Sequence, residues 1–185
     1  MAEKPSSTTP SVIQCLVATF DVIAGRIKVH EAYDFSERSF WQVVLSSWGL
    51  GLLLFIPFAG LGIEIFFRFA ASSFVSLLTY ALLIWHILVW SQRAERFLNF
   101  IIPFYWLNAL QIVLFGLVTL ITQMTGLLLV QLAIVPLAIW VLLWQFRIAR
   151  DQLLFSTIAA IGIVFARFCV EFTIGMFGNI QMGAG

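Results

Sequence analysis

Residues 97–122 read FLNFIIPFYWLNALQIVLFGLVTLIT, an apolar stretch without a single charged side chain. A helix crosses a bilayer with about 20 mainly apolar residues, each adding about 1.5 Å toward a hydrocarbon core about 30 Å thick. This segment exceeds that length, so the spacing predicts a transmembrane helix. Working outward from it, four more stretches of similar character appear, from about Phe40 to Gly60, Phe69 to Trp90, Leu127 to Phe146 and Leu153 to Phe177. Pro57 and Gly60-Leu61-Gly62 end the first, and Met124-Thr125-Gly126 makes the short turn after the third. Tight turns make consecutive spans antiparallel neighbours. The predicted fold is therefore an all-α integral membrane protein with five transmembrane helices.

Composition points the same way. Of the 185 residues, 62% are hydrophobic and 10% charged, against about 45–50% and about 25% in ordinary soluble domains. A water-soluble chain of this size would carry the surplus as aggregating surface patches, whereas lipid accepts it. The net charge of +1 gives no argument for nucleic acid. Cys15 and Cys169 are too few for a disulfide framework and read as apolar residues near opposite membrane faces. No cleavable leader is expected, because the first strongly apolar run begins only near Phe40.

Three regions follow. Residues 1–10, MAEKPSSTTP, read as a mobile polar tail. Residues 11–38 form a cytoplasmic, amphipathic segment, and residues 39–180 the transmembrane domain. In the middle region Val12, Ile13, Leu16, Phe20, Ile23 and Ile27 recur at spacings of three and four, with Gln14, Ala18, Asp21, Gly25 and Lys28 on the other side. That pattern predicts a helix too short and too charged to span. Two placements fit it: a helix in the membrane interface, with Phe20 in the apolar layer and Arg26 and Lys28 near headgroups, or one packed on the protein's own cytoplasmic face. Asp34-Phe35-Ser36-Glu37 then marks the next helix start, since Asp34 or Ser36 can accept from an exposed N–H. Phe40 and Trp41 sit where an aromatic belt belongs.

Charge sets the orientation. With the N-terminus inside, the cytoplasmic segments hold Lys4, Arg26, Lys28, Arg38, Arg93, Arg96, Arg147 and Arg150, the outer segments only Arg68, and Arg167 falls within the fifth span. This is a positive-inside pattern. Four spans would put Arg147 and Arg150 across the membrane from Arg93 and Arg96. The expected location is a bacterial inner membrane, multi-pass, with a cytoplasmic N-terminus.

No Gly-rich phosphate loop, metal-ligand cluster or nucleophile–base set is visible, and no cofactor is implied. His86, near the inner end of the second span, reads as a hydrogen-bonded packing residue. The polar pair Arg167 and Glu171 is more informative, because residues four apart share a helix face and can pair. Counting from Leu153, Arg167 lies about 21 Å across the core. Gln111 on the third span and Gln131 on the fourth come out at a similar level, with Glu64 and Arg68 just above in the first outer loop. These six residues form the candidate polar cluster. It reads either as glue between helices or as the floor of an outward-facing pocket for a polar or lipid headgroup. Small residues, Ala159, Gly162 and Ala166 on the fifth span, Gly49 and Gly51 on the first, and Ser72, Ser73 and Ser76 on the second, predict close helix contacts. Pro103 and Pro136 predict kinks.

Ile139-Trp140-Val141-Leu142-Leu143-Trp144-Gln145-Phe146-Arg147-Ile148-Ala149-Arg150, followed by a fifth span rich in Ala and Ile, is similar to a pattern of the Yip family of five-span membrane proteins. That pattern is an aromatic-rich fourth span, a basic turn and a small-residue fifth span. The resemblance covers the last 90 or so residues by pattern and the whole chain by topology. It implies a non-enzymatic protein that works through partners. The short loops leave no room for a soluble active site, so a scaffold or accessory subunit of a larger membrane complex is expected. Its partners would be membrane lipids and either other membrane subunits or a second copy. The alternative is a small transporter or channel subunit with Arg167, Glu171, Gln111 and Gln131 along a path.

Overall fold

The computed structural model describes residues 10–56 and 63–180, and every regular element among them is helical. The expected tail, apart from Pro10, and the turn with Pro57 and Gly60-Leu61-Gly62 lie outside the described residues. The elements are α1 (Val12–Ile23), α2 (Val29–Ala32), α3 (Glu37–Phe55), α4 (Ile63–Trp90), α5 (Phe97–Thr125), α6 (Leu128–Gln131), α7 (Ile134–Leu153) and α8 (Thr157–Ile180).

α5 is the axis. Every residue from Phe100 to Leu110 is buried among the other helices. It packs against α3, α7, α1 and α4, while α8 closes the bundle between α4 and α7. At Gly116 a Cβ would lie 2.4 Å from Leu54 Cδ1, so the missing side chain seats α3 against α5. Gly126 ends α5 at φ +67°, its N–H bonded to the Thr122 carbonyl at 2.9 Å, the left-handed cap that glycine adopts without strain.

Among the described residues, three helical stretches are long and apolar enough to cross a membrane: Ile63–Trp90, Ala94–Thr125 and Thr157–Ile174. Their outer faces suit lipid. On α8 the exposed side chains Ile158, Ile161, Phe165, Phe168 and Phe172 recur every three or four residues, one continuous apolar stripe facing outward. Trp41 and Trp90 are exposed near the α3 start and the α4 end, where an interfacial belt belongs.

Several boundaries differ from expectation for local reasons. α4 starts at Ile63, so Glu64 and Arg68 stand on its first two turns rather than in a loop. The fourth stretch is two helices, broken by turn residues 132–133. Pro136 thereby falls in the first turn of α7, where no intrahelical N–H is needed, instead of kinking a continuous span. α5, by contrast, runs through Pro103. The expected basic turn after Phe146 is helical to Leu153. Arg93 Nη1 donates to the carbonyls of Leu153 and Leu154 at 2.8 Å each, and Arg96 Nη1 to that of Gln152 at 3.2 Å. Arg93 and Arg96 therefore satisfy the orphan carbonyls at the end of α7.

α1 is capped as a reciprocal box: the Ser11 hydroxyl accepts from the Gln14 N–H at 3.2 Å, and Gln14 Oε1 accepts from the Ser11 N–H at 2.8 Å. The helix docks on α5, but through a face turned from the expected stripe. Cys15, Thr19 and Val22 are buried, with Val12, Leu16 and Ile23 at the margins, while Ile13, Val17 and Phe20 are exposed. Thr19 can enter the core because its hydroxyl donates to the Cys15 carbonyl at 2.7 Å and accepts from the Tyr33 hydroxyl at 2.9 Å, leaving no orphan polar atom. Arg26 pairs with Asp21 at 2.9 Å, and Lys28 precedes α2, whose Glu31 carboxylate accepts from the Lys28 backbone N–H at 3.4 Å. α3 is capped by Ser36, which accepts from the Ser39 N–H at 3.2 Å, with Asp34 bracing both hydroxyls.

Candidate functional site: a cavity among four helices

The half of the bundle toward the C-terminal ends of α3 and α5 holds an open cavity of about 570 Å³ between α3, α4, α5 and α8. That volume falls in the usual range for small-molecule sites, about 300–1,000 Å³. Its floor is set by interhelical hydrogen bonds that lock the helices together. Ser47 on α3 donates to the Tyr105 carbonyl at 3.2 Å, Tyr105 donates its hydroxyl to the Leu77 carbonyl, and Tyr80 donates to the Ile163 carbonyl at 3.2 Å. Trp48 Nε1 reaches the Ala70 carbonyl at 2.9 Å. Between apolar helices in lipid, such bonds and close packing replace the hydrophobic drive available in water.

Arg167 governs the charge. Its Nε donates to Glu171 Oε1 at 2.8 Å and its Nη2 to Asn108 Oδ1 on α5, while the guanidinium carbon stands 5.5 Å from the Phe104 ring centre. Nη1 is buried without a hydrogen-bond partner among the described residues. The Arg167 side chain is only 12% exposed and that of Glu171 47%. A cation this enclosed needs fixed partners, and it has an anion, an amide and an aromatic face. The arginine is turned into the bundle, not out toward the lipid boundary.

The six expected cluster residues separate into three groups. Arg167, Glu171 and Gln111 line the cavity. Glu64 and Arg68 pair with each other at 2.6 Å on α4 but do not line it. Gln131 is exposed on α6 and joins neither group. The level of Gln111 is matched instead by Gln145 of α7, almost fully buried, whose Nε2 donates to Gln111 Oε1 at 3.4 Å. The break before α7 changes the register that depth counting along one continuous span assumed. Asn108 went unmarked in the sequence, although it lies three residues before Gln111 and so on the same face of an uncharged span.

The small residues also divide differently. Ser72, Ser73 and Ser76 line the cavity, as does Gly51. A Cβ at Gly49, Gly51 or Gly162 would meet nothing within 4 Å, so none of them marks a close helix contact, and Gly116 does. His86 bonds its own helix, Nδ1 to the Leu82 carbonyl oxygen at 2.7 Å, and stands away from the cavity. Among the described residues no group of three or more His, Cys, Asp or Glu could hold a metal ion.

Fold and site together define a class, a helical membrane protein with a half-buried ion pair beside a largely apolar cavity that carries several polar groups. No family model matches the chain, nor does any curated protein or solved structure.

Proposed function

We propose that this chain is a five-span protein of the bacterial inner membrane, N-terminus inside, that binds a polar or headgroup-bearing ligand in its cavity as part of a small transporter or channel subunit. One observation carries the reading: a cavity of about 570 Å³ in one half of the bundle, faced by an ion pair, two amides and several hydroxyls. Polar groups at membrane depth that serve only as glue are closed on one another. Here Gln111 Nε2, Asn108 Nδ2 and the second oxygen of Glu171 have no hydrogen-bond partner among the described residues. The five-span topology is supported by the charge asymmetry, with α3 and α7 as the two less apolar spans. Mass spectrometry of small molecules that co-purify with wild type and with Ser76→Phe tests the reading. A ligand lost in the variant supports it, and identical inventories reject it.

A second reading is a non-enzymatic scaffold or accessory subunit, the role implied by the Yip resemblance. It is favoured by a groove of about 420 Å³ between α4 and α8, apolar and lined by the small residues Gly162, Ala166 and Cys169, the residue types that let helices approach closely in lipid. A stoichiometric larger partner retained in mild detergent, and lost on Gly162→Phe, is the outcome that favours it over ligand binding.

A further inference from the structure

The cavity groups differ in what each has left to offer. On α4, Ser72 and Ser73 donate their hydroxyl protons to the Phe69 and Ala70 carbonyls at 3.1 Å each. Their oxygens therefore enter the cavity as acceptors. The Glu171 carboxylate of the adjoining α8 adds Oε2, its other oxygen being held by Arg167. This side accepts. On α5 the situation is reversed. Gln111 Oε1 is taken by Gln145 and Asn108 Oδ1 by Arg167, so both amides turn N–H donors to the cavity, beside the guanidinium.

The fixed charges sum to zero, with the cation on the donor side and the anion on the acceptor side. A simple anion would meet Arg167 and also face Glu171, and a simple cation would meet Glu171 and also face Arg167. Each would leave one half of the site unmatched in a low-dielectric setting, where unmatched charge is costly. Resting on the ligand-binding reading above, we infer that the cavity selects a zwitterion. A primary ammonium lies against Glu171 and the Ser72 and Ser73 oxygens, and an anionic oxygen a few bonds away meets the Asn108 and Gln111 amides, with the Arg167 charge behind them. A primary ammonium brings three donors, which suits three acceptors, whereas a quaternary ammonium brings none. The headgroup of an ethanolamine phospholipid and a small soluble amino-phosphate share this chemistry.

The test uses the full chain purified in detergent and titrated, by native mass spectrometry, with dioleoyl phosphatidylethanolamine, the matching phosphatidylglycerol and phosphatidylcholine, and soluble phosphoethanolamine. The expected result is a preference of about tenfold or more for a primary-ammonium zwitterion over phosphatidylglycerol, the scale of one charge-assisted hydrogen bond. Phosphatidylcholine binds more weakly than phosphatidylethanolamine. Glu171→Gln, nearly isosteric, removes the preference without removing phosphatidylglycerol binding. Comparable binding of phosphoethanolamine assigns a soluble source, and binding of the lipid alone assigns a headgroup. Equal or tighter phosphatidylglycerol binding by wild type, or no binding by any probe, overturns the zwitterion. If the zwitterion fails while Ser76→Phe still abolishes binding of some other ligand, the cavity reading stands. If Ser76→Phe changes no binding at all, both fall.

Discussion

Arg167 on α8 hydrogen-bonds through Nη2 to Oδ1 of Asn108 on α5, joining side chains 59 residues apart in the chain. The bond fixes one edge of the guanidinium and turns the Asn108 amide so that its N–H groups face the cavity. It also ties the central helix to the helix that carries Glu171. The same contact thus braces the bundle and orients the site.

Arg167→Leu strips both Asn108 and Glu171 of a partner and is expected to lower stability in detergent by about 1–3 kcal/mol. Glu171→Leu should cost less, since its side chain is 47% exposed and Arg167 keeps Asn108. The double variant is expected to regain part of the Arg167→Leu loss, because it leaves no uncompensated carboxylate. Thermal melting of the three variants decides, and single variants as stable as wild type would refute a structural role for the pair.

Gly116→Ala places a methyl carbon 2.4 Å from Leu54 Cδ1. The leucine end must swing aside, at a cost of about 1–3 kcal/mol by overpacking. Leu54→Ala should restore the Gly116→Ala protein toward the stability of Leu54→Ala alone. Additive losses in the double variant would mean that the two residues do not meet.

The proposed topology makes a directional statement. A cysteine placed at Thr125 or Gly183 should react with an impermeant thiol reagent added outside intact cells, and one placed at Ser7 or Gln92 should not. Reaction at Ser7 would sink the arrangement with the N-terminus inside.

On α1 the two faces separate in their effects. Phe20→Asp changes an exposed residue, so it should weaken any association of residues 11–28 with lipid while leaving the dock on α5 and the rest of the bundle intact. Thr19→Val removes the group that joins Tyr33 to the Cys15 carbonyl. It should loosen the dock itself by about 1–3 kcal/mol, seen as faster proteolysis of this segment. Equal protease resistance in both variants and wild type contradicts this division.

The same dock responds to pH. Burial pushes the Tyr33 phenol above its ordinary value of 10.0. Folding therefore favours the neutral form, and the stability contributed is complete below that ordinary value and lost as pH rises toward the folded one. Proteolysis of the N-terminal segment should accelerate above about pH 10, and Tyr33→Phe should remove that dependence. A wild-type rate flat through this range would contradict a buried phenol.

Length, hydropathy and charge determined much of this protein. They are properties of single segments, and lipid and water act on segments one at a time. The uncharged run at 97–122 declared a membrane-spanning helix, and its central place among the others was decided by packing. Asp34 or Ser36 declared a helix start, because a cap is satisfied within four residues. The pairing of Arg167 with Glu171 was legible for the same reason, since one helical turn brings them together. Which polar groups meet across helices was decided only by the tertiary structure. Gln111 meets Gln145 and not Gln131, because the break at residues 132–133 resets the register of α7. Asn108 becomes the second anchor of Arg167 through packing of α8 near α5, a relation no local spacing contains. The face of α1 that docks was likewise set by Tyr33, which made Thr19 acceptable inside. A hydrogen bond between distant segments depends on rotation and register to within an ångström or so, whereas periodicity gives a helix its face only to within one residue position, about 100°.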